Sequence, residues 1–266
     1  MKTFENKVVW VTGASSGIGE ALAFALAKAG ARLILSARRE QELTRVMRAT
    51  GLSAKDCLLL PFDLSVESAF EPAVNQAIKH FKKIDMLINN GGLSQRSLAK
   101  DTALAVDRKL MEVNYFGTIG LTKALLPHFL QNKDGEFVVI SSSVGKFGTP
   151  WRSGYSASKH ALHGFFDSLR AECAADGIRV LMVCPGFIKT DVSINALDHN
   201  GQRLNQMDQA TQNGMIPDEA ARQILNAIRC NKEEVNVGGM KERFGIWMKR
   251  HFPGVFSKMV KRMKVR

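Results

Sequence analysis

No stretch of this 266-residue chain is apolar over anything near the ~20 residues that cross a bilayer, so a helical membrane span is not expected. The opening residues Met1-Lys2-Thr3-Phe4-Glu5-Asn6-Lys7 lack the apolar core of a secretory signal, and none is expected. Cysteine is scarce: Cys57, Cys173, Cys184 and Cys230 are scattered, with no Cys-x-x-Cys pair. That argues against a disulfide framework or a metal cluster and fits free thiols in a reducing, cytoplasmic setting. Internal repeats, low-complexity stretches and linkers are missing too. Acidic residues are in the minority, giving a net charge of +12, but the excess is concentrated. Between Lys241 and Arg266 nine Lys/Arg face one acid, Glu242. The body is only mildly basic, which weakens any nucleic-acid reading.

What is present suits one large α/β domain. Val8-Val9-Trp10-Val11 is an apolar run fit for a buried parallel strand, and Thr12-Gly13-Ala14-Ser15-Ser16-Gly17-Ile18-Gly19 follows it. A helical pattern then runs through Ala21–Lys28 to Gly30, and Arg32-Leu33-Ile34-Leu35 resumes as a strand. A Gly-rich turn between strand and helix inside a βαβ unit is a dinucleotide site. Its glycines let backbone N–H groups approach a pyrophosphate, whose charge the helix dipole favours. Gly13, Ser15, Ser16, Gly17, Ile18 and Gly19 are the candidate residues. The second strand ends in Ser36-Ala37-Arg38-Arg39, without the carboxylate that an NAD ribose requires. Two guanidinium groups suit a 2′-phosphate, so the expected cofactor is NADP(H), held by Arg38 with Arg39 in second place.

The third expected strand, Leu58 to Leu64, contains Asp63, which either meets the adenine or caps a helix beginning near Val66. A fourth, Ile84–Ile88, ends in Asn89-Asn90-Gly91-Gly92, where small residues let the chain pass close to a ribose. A long helix is expected from about Thr102 to Leu130, with Asn114, a poor helix former, in its middle. Phe137–Ile140 and Val180–Val183 are further strands, and Val235-Asn236-Val237 is a last one. The first of these opens into Ser141-Ser142-Ser143, and the next element carries Tyr155-Ser156-Ala157-Ser158-Lys159. Four residues apart on a helix, Tyr155 and Lys159 share a face. Bringing a phenol from about 10 to near neutrality takes roughly 4 kcal/mol. A cation about 4 Å away at an effective dielectric of ~20 supplies that much. The alternation of strands and helices predicts a single-domain Rossmann-type doubly wound parallel sheet with helices on both faces.

Together these stretches resemble the short-chain dehydrogenase/reductase family over Lys7 to Val237. The resemblance rests on Thr12-Gly13-x-x-x-Gly17-x-Gly19, Asn89-Asn90-Gly91-Gly92, Asn114, Ser142 thirteen residues before Tyr155, Tyr155-x-x-x-Lys159 and Pro185-Gly186-x-x-x-Thr190. One departure is visible: the family usually has Ala where this chain has Gly91, a change expected to cost rigidity. The resemblance implies an NADPH-dependent carbonyl reductase, or the reverse alcohol dehydrogenase. Ser142 would bind the carbonyl oxygen, Tyr155 would protonate it, Lys159 would tune Tyr155 and hold the ribose, and Asn114 would order a water. Ile188 and Thr190 would fix the carboxamide, and Asn90 and Gly91 would line the cofactor. Residues 90–97 and 155–162 resemble a branch acting on steroids, retinoids and other lipophilic carbonyls. A 3-oxoacyl-thioester reductase is the rival within the enzymes; a non-catalytic nucleotide-sensing or nucleic-acid-binding protein is the rival outside them. Dimers or tetramers are implied by the same analogy.

The catalytic domain is placed at 1–240, with residues 191–216, polar and without clear period, as a substrate lid. Residues 241–266 form a basic amphipathic extension. From Pro253 onward, Phe252, Phe256, Met259, Val260 and Met263 fall at helical spacing among Lys258, Lys261, Arg262 and Lys264. Such a helix either lies on an anionic membrane surface or docks on its own domain.

Overall fold

The computed structural model describes residues 3–261. Seven strands form one sheet: β1 (Val8–Thr12), β2 (Arg32–Ser36), β3 (Cys57–Leu59), β4 (Met86–Asn89), β5 (Gly135–Ile140), β6 (Ile178–Pro185) and β7 (Glu234–Val237). Their order is β3-β2-β1-β4-β5-β6-β7, with every pairing parallel. The order changes direction between β1 and β4, and at such a switch point the crevice beyond the strand ends is open to a ligand.

Helices cover both faces, as the apolar strand runs require. Successive strand side chains point to opposite sides. Val9, Val11, Leu33, Leu35, Val138 and Ile140 therefore pack with α1 (Gly17–Lys28), α2 (Glu40–Thr50) and α8 (Pro217–Arg229). Val8, Trp10, Ile34, Phe137 and Val139 pack with α3 (Phe70–Phe81), α5 (Gly117–Asn132) and α6 (Ser153–Glu172). The indole N–H of Trp10 would be an unpaired donor in this core, but it bonds Ser36 Oγ at 2.8 Å. That bond fixes the last residue of β2 just where the chain enters the site.

Two expectations differ in detail. The third strand is shorter than 58–64: Pro61 has no N–H to give the ladder, and regular pairing ends at Leu59. The long helix is interrupted. After α4 (Leu104–Met111) the chain makes a wider π-type turn, Glu112–Phe116, before α5. That extra residue per turn is what aims Asn114 inward, and such turns are frequent at functional positions. Residues 191–216 are folded, with α7 (Gln209–Gln212) and β-bridges pairing Leu197 with Gln95 and Ile188 with Met215.

Beyond β7, α9 (Met240–His251) and α10 (Pro253–Val260) form a helical pair. Met248 and Phe256 are buried against Val144 and Phe147, with Ile246, Val260 and Tyr155 alongside. The extension therefore docks on its own domain. Phe252 and Met259, expected on one apolar stripe with Phe256 and Val260, are exposed, as are Phe244, Trp247 and Val255. Phe252 is non-helical between the two helices and Pro253 starts the second, so the pair does not carry one continuous apolar stripe. Arg262, Met263, Lys264 and Arg266 lie outside the described residues.

Candidate active site

A cleft of about 1000 Å³ opens at the carboxyl ends of the central strands. Its floor is the turn between β1 and α1. Gly13 and Gly17 have φ of +63° and +60°, a region that side chains disfavour, so the turn requires glycine there. A Cβ on Gly19 would strike the Gly13 carbonyl, which explains why this glycine lies behind the cleft wall as a packing residue. Ser16 is extended and makes no side-chain cap, leaving the first N–H groups of α1 turned to the cleft. Thr12 Oγ1 accepts the N–H groups of Asn90 and Gly91, both at 3.0 Å. The Asn90 amide donates to the carbonyls of Thr12 and Gly13 at 2.9 and 3.2 Å. Asn90 thus braces the glycine turn through its side chain and meets the cleft with its remaining surface.

Gly91 has a reason to be glycine. An added Cβ would lie 2.6 Å from Leu64 Cδ1, so in this chain the leucine occupies the space of the usual alanine methyl. The expected loss of rigidity is therefore offset by local packing.

At the end of β2, Arg38 and Arg39 both reach the cleft. Arg38 Nη1 stands 3.6 Å from Asp63 Oδ2, and Arg39 Nη2 donates to Ser15 Oγ at 3.2 Å. Asp63 Oδ1 accepts from the N–H and hydroxyl of Ser65, both at 2.9 Å. It forms a local turn, and the following helical turn, Glu67–Ala69, has no side-chain cap, so the helix-capping alternative for Asp63 fails. The bonds from Ser65 and the charge of Arg38 overcome burial and hold its carboxyl below the usual range.

The opposite wall carries Ser142, Tyr155, Lys159, Ile188 and Thr190. Ser142 follows β5, where its Oγ accepts from Val144 N–H at 3.3 Å and donates to the Pro185 carbonyl at 3.4 Å. Tyr155 and Lys159 share the inner face of α6, and Lys159 is buried with its Nζ donating to the Ile140 carbonyl at 2.8 Å. That ammonium lies 5.9 Å from the centroid of the Tyr155 ring. Burial pulls Lys159 down to about 8. Burial also pushes the Tyr155 phenol up, while a hydrogen bond with Ser142 and the charges of Arg152 and Arg96 draw it back. The two arginines thus add positive charge near the phenol, while the lysine four residues along, over the same ring, also donates to the β5 carbonyl. The Thr190 hydroxyl donates to the Ile188 carbonyl at 3.4 Å, and the Thr190 methyl packs against Gly17.

Asn114 is fully buried behind the wall. Its Oδ1 accepts Leu93 N–H at 2.7 Å, and its Nδ2 donates to the Leu93 carbonyl and to Ser158 Oγ, each at 2.9 Å. It clamps the segment after β4 to α6. A Cβ added at Gly92 would lie 3.0 Å from Asn114 Oδ1 and 3.6 Å from Lys159 Nζ, so both groups crowd this glycine.

Three residues here had no sequence signal. Arg96, Arg152 and Asp208 are 7%, 6% and 9% exposed, and Asp208 comes from the 191–216 segment. Arg96 and Arg152 line the cleft beside Tyr155. No local spacing marks such a cluster, because its members come from three distant segments.

A family model described as short chain dehydrogenase matches residues 7–201. The chain belongs to the short-chain dehydrogenase/reductase family. It is therefore a family oxidoreductase acting on a small molecule. A dehydrogenase/reductase SDR family protein 7-like of Anopheles gambiae is 44% identical over 263 residues, 97% of this chain and 83% of that one. A short-chain dehydrogenase from Streptomyces avermitilis has a similar structure, with a TM-score of 0.82 and 28% identity over 97% of this chain and 96% of that one. A Burkholderia cenocepacia short-chain dehydrogenase in complex with NADP gives a TM-score of 0.80 at 26% identity, over 97% and 99% of the two chains. The single parallel sheet with flanking helices is the fold these family members share.

Proposed function

We propose that this enzyme interconverts a carbonyl and a secondary alcohol on an apolar small molecule, with NADP(H) as its redox partner. The observation that carries the reading is that Ser142, Tyr155 and Lys159 share one cleft with the open N-terminus of α1 and the Arg38–Arg39 pair. The residues fit a dinucleotide: the glycine turn leaves its amides facing the cleft, and a Cβ at Gly13 would meet Gly91 Cα at 2.8 Å, so the cradle tolerates no side chain. The turn Gly13–Ile18 would hold the pyrophosphate. Arg38 and Arg39 would hold a 2′-phosphate. Bound there, the nicotinamide supplies or accepts the hydride.

The chain's own groups handle position and proton. Ser142 donates to the substrate oxygen, and Tyr155 transfers the proton to or from it. Lys159 is poised for exchange because its pKa of about 8 is close to neutrality. Asn114 Oδ1 and Lys159 Nζ both lie close to Gly92, which supports a role for Asn114 in ordering a water that links the lysine to solvent. Leu93, Phe187, Val192 and Leu197 give the substrate end an apolar lining, and residues 191–216 act as its cover. The α9–α10 pair contacts an anionic membrane surface through its exposed Phe244, Trp247, Phe252 and Val255, set among lysines and arginines.

The deciding experiment is Tyr155→Phe, assayed against steroid, retinal, quinone and 3-oxoacyl substrates. The variant should bind NADPH normally and lose turnover by about 10³-fold or more. Near-normal kcat on any of them would overturn the assignment.

A further inference from the structure

Arg152 is the residue of this site that the reading above leaves unexplained. It is 6% exposed, it lines the cleft, and it immediately precedes the helix that carries Tyr155. Its Nε and Nη2 have no hydrogen-bond partner among the described residues. Its guanidinium stacks over the Phe187 ring, 5.0 Å from the centroid. A buried guanidinium without hydrogen bonds is costly, and proteins seldom retain one without a use.

The nearby acid does not serve it. Asp208 Oδ2 accepts from Arg96 Nε and Nη2 at 3.0 and 2.7 Å. Its Oδ1 accepts the Thr211 N–H at 2.6 Å. Arg152 Nη2 is left 3.9 Å from Oδ2, beyond a hydrogen bond. Arg96 itself is complete, since Nη1 donates to Ser94 Oγ and to the Gln95 carbonyl, both at 2.8 Å. The cluster therefore holds two cations and one carboxylate, and the carboxylate is committed to Arg96. Burial pulls Arg152 down only to about 10, so it carries its charge at neutral pH. What remains is one unmatched positive charge with free donors at the substrate end of the cleft.

We propose that Arg152 is the anion-binding group of the substrate site, and that the natural substrate is an apolar oxo-acid, or the matching hydroxy-acid, whose carboxylate pairs with this guanidinium. The inference rests on the carbonyl/alcohol reading and narrows its substrate class. A planar guanidinium matches a carboxylate in two-point fashion. Phe187, stacked on the guanidinium, fixes its plane and shields it from water, which strengthens such a pair. The N-terminus of α6 adds to the attraction for an anion. Leu93, Val192 and Leu197 would take the apolar part of the molecule.

The test compares 4-formylbenzoate with its methyl ester, which share a reacting aldehyde and differ in the charge at the far end. With NADPH, the wild-type protein should favour the acid in kcat/KM by about tenfold or more, the range of a charge-assisted hydrogen bond. Arg152→Gln should collapse that ratio toward one, and Arg152→Lys, which keeps the charge, should retain part of it. An unchanged ratio in Arg152→Gln would overturn the proposal. So would a wild-type preference for the ester, or equal losses on both substrates, which would make Arg152 a group acting through Tyr155. If the wild-type protein reduces neither aldehyde nor any other carbonyl with NADPH or NADH, the carbonyl reading itself falls. Calorimetry of 4-formylbenzoate binding to the NADP⁺-loaded protein then decides the anion site: at least tenfold weaker binding in Arg152→Gln supports it, and equal binding refutes it. A thermal melt of each variant with NADP⁺ establishes that the comparison is between folded proteins.

Discussion

Arg96 and Asp208, 112 residues apart in the chain, form a buried ion pair with an Nη2–Oδ2 distance of 2.7 Å. Arg96 lies just after the fourth strand, and Asp208 caps α7 within a segment that lines the cleft. The pair fastens that segment to the chain following β4 and explains why a polar stretch without periodicity is nonetheless folded. Removing one partner of such a pair leaves the other charge buried and uncompensated. Asp208→Asn would leave the buried Arg96 without its carboxylate, and should destabilise the protein by about 3 kcal/mol in urea unfolding. A change below about 0.5 kcal/mol would mean the segment is held by its other contacts.

The cofactor preference is tested at the end of β2. Trp10 occupies the Ser36 hydroxyl, Ala37 is apolar, and Arg38 has only a 3.6 Å approach to Asp63 to break. Arg38→Ala should raise KM for NADPH by about tenfold or more while leaving that for NADH nearly unchanged. Steady-state kinetics with both cofactors checks this. Parallel changes would remove the argument for the 2′-phosphate.

His163 makes the fold acid-sensitive. It is 8% exposed, Nε2 is 3.0 Å from Ser141 Oγ, and Nδ1 is buried without a hydrogen-bond partner among the described residues. Burial holds its pKa at about 4, against 6.5 when free. Between those values the unfolded chain carries the proton and the folded protein does not. Acidification through that window therefore favours unfolding, by up to about 3 kcal/mol. His128, whose pKa is also lowered by burial, acts in the same direction. Urea midpoints measured from pH 7 to pH 4 should fall steeply for the wild-type protein and less steeply for His163→Gln. Superimposable curves would show that the imidazole is not a source of the pH dependence.

The exposed face of α9–α10 predicts lipid binding that depends on both charge and aromatic rings. The protein should float with vesicles containing phosphatidylserine and remain in the aqueous phase with neutral ones. Trp247→Ser combined with Phe252→Ser should abolish flotation. These side chains are about half exposed, at 48% and 49%, so their loss spares the buried Met248 and Phe256 contacts that hold the helices down. Equal flotation of the double variant would dismiss this face as the contact.

What could be read from the order of residues alone were the features governed by short-range rules. Apolar runs such as Val8–Val11 dictate buried parallel strands, and a glycine turn between strand and helix dictates a ligand cradle, because backbone geometry and side-chain alternation act over a few residues. The placement of Tyr155 and Lys159 on one helical face followed from the same rules. The folded chain decided what depends on distant partners. Lys159 donates a hydrogen bond to the Ile140 carbonyl, Leu64 fills the gap at Gly91, and Asn114 turns inward on a widened helical turn to clamp Leu93. The Arg96–Asp208–Arg152 cluster belongs to this second group. Charges from separate segments acquire their energies only when burial removes water from between them, and no spacing along a chain encodes that.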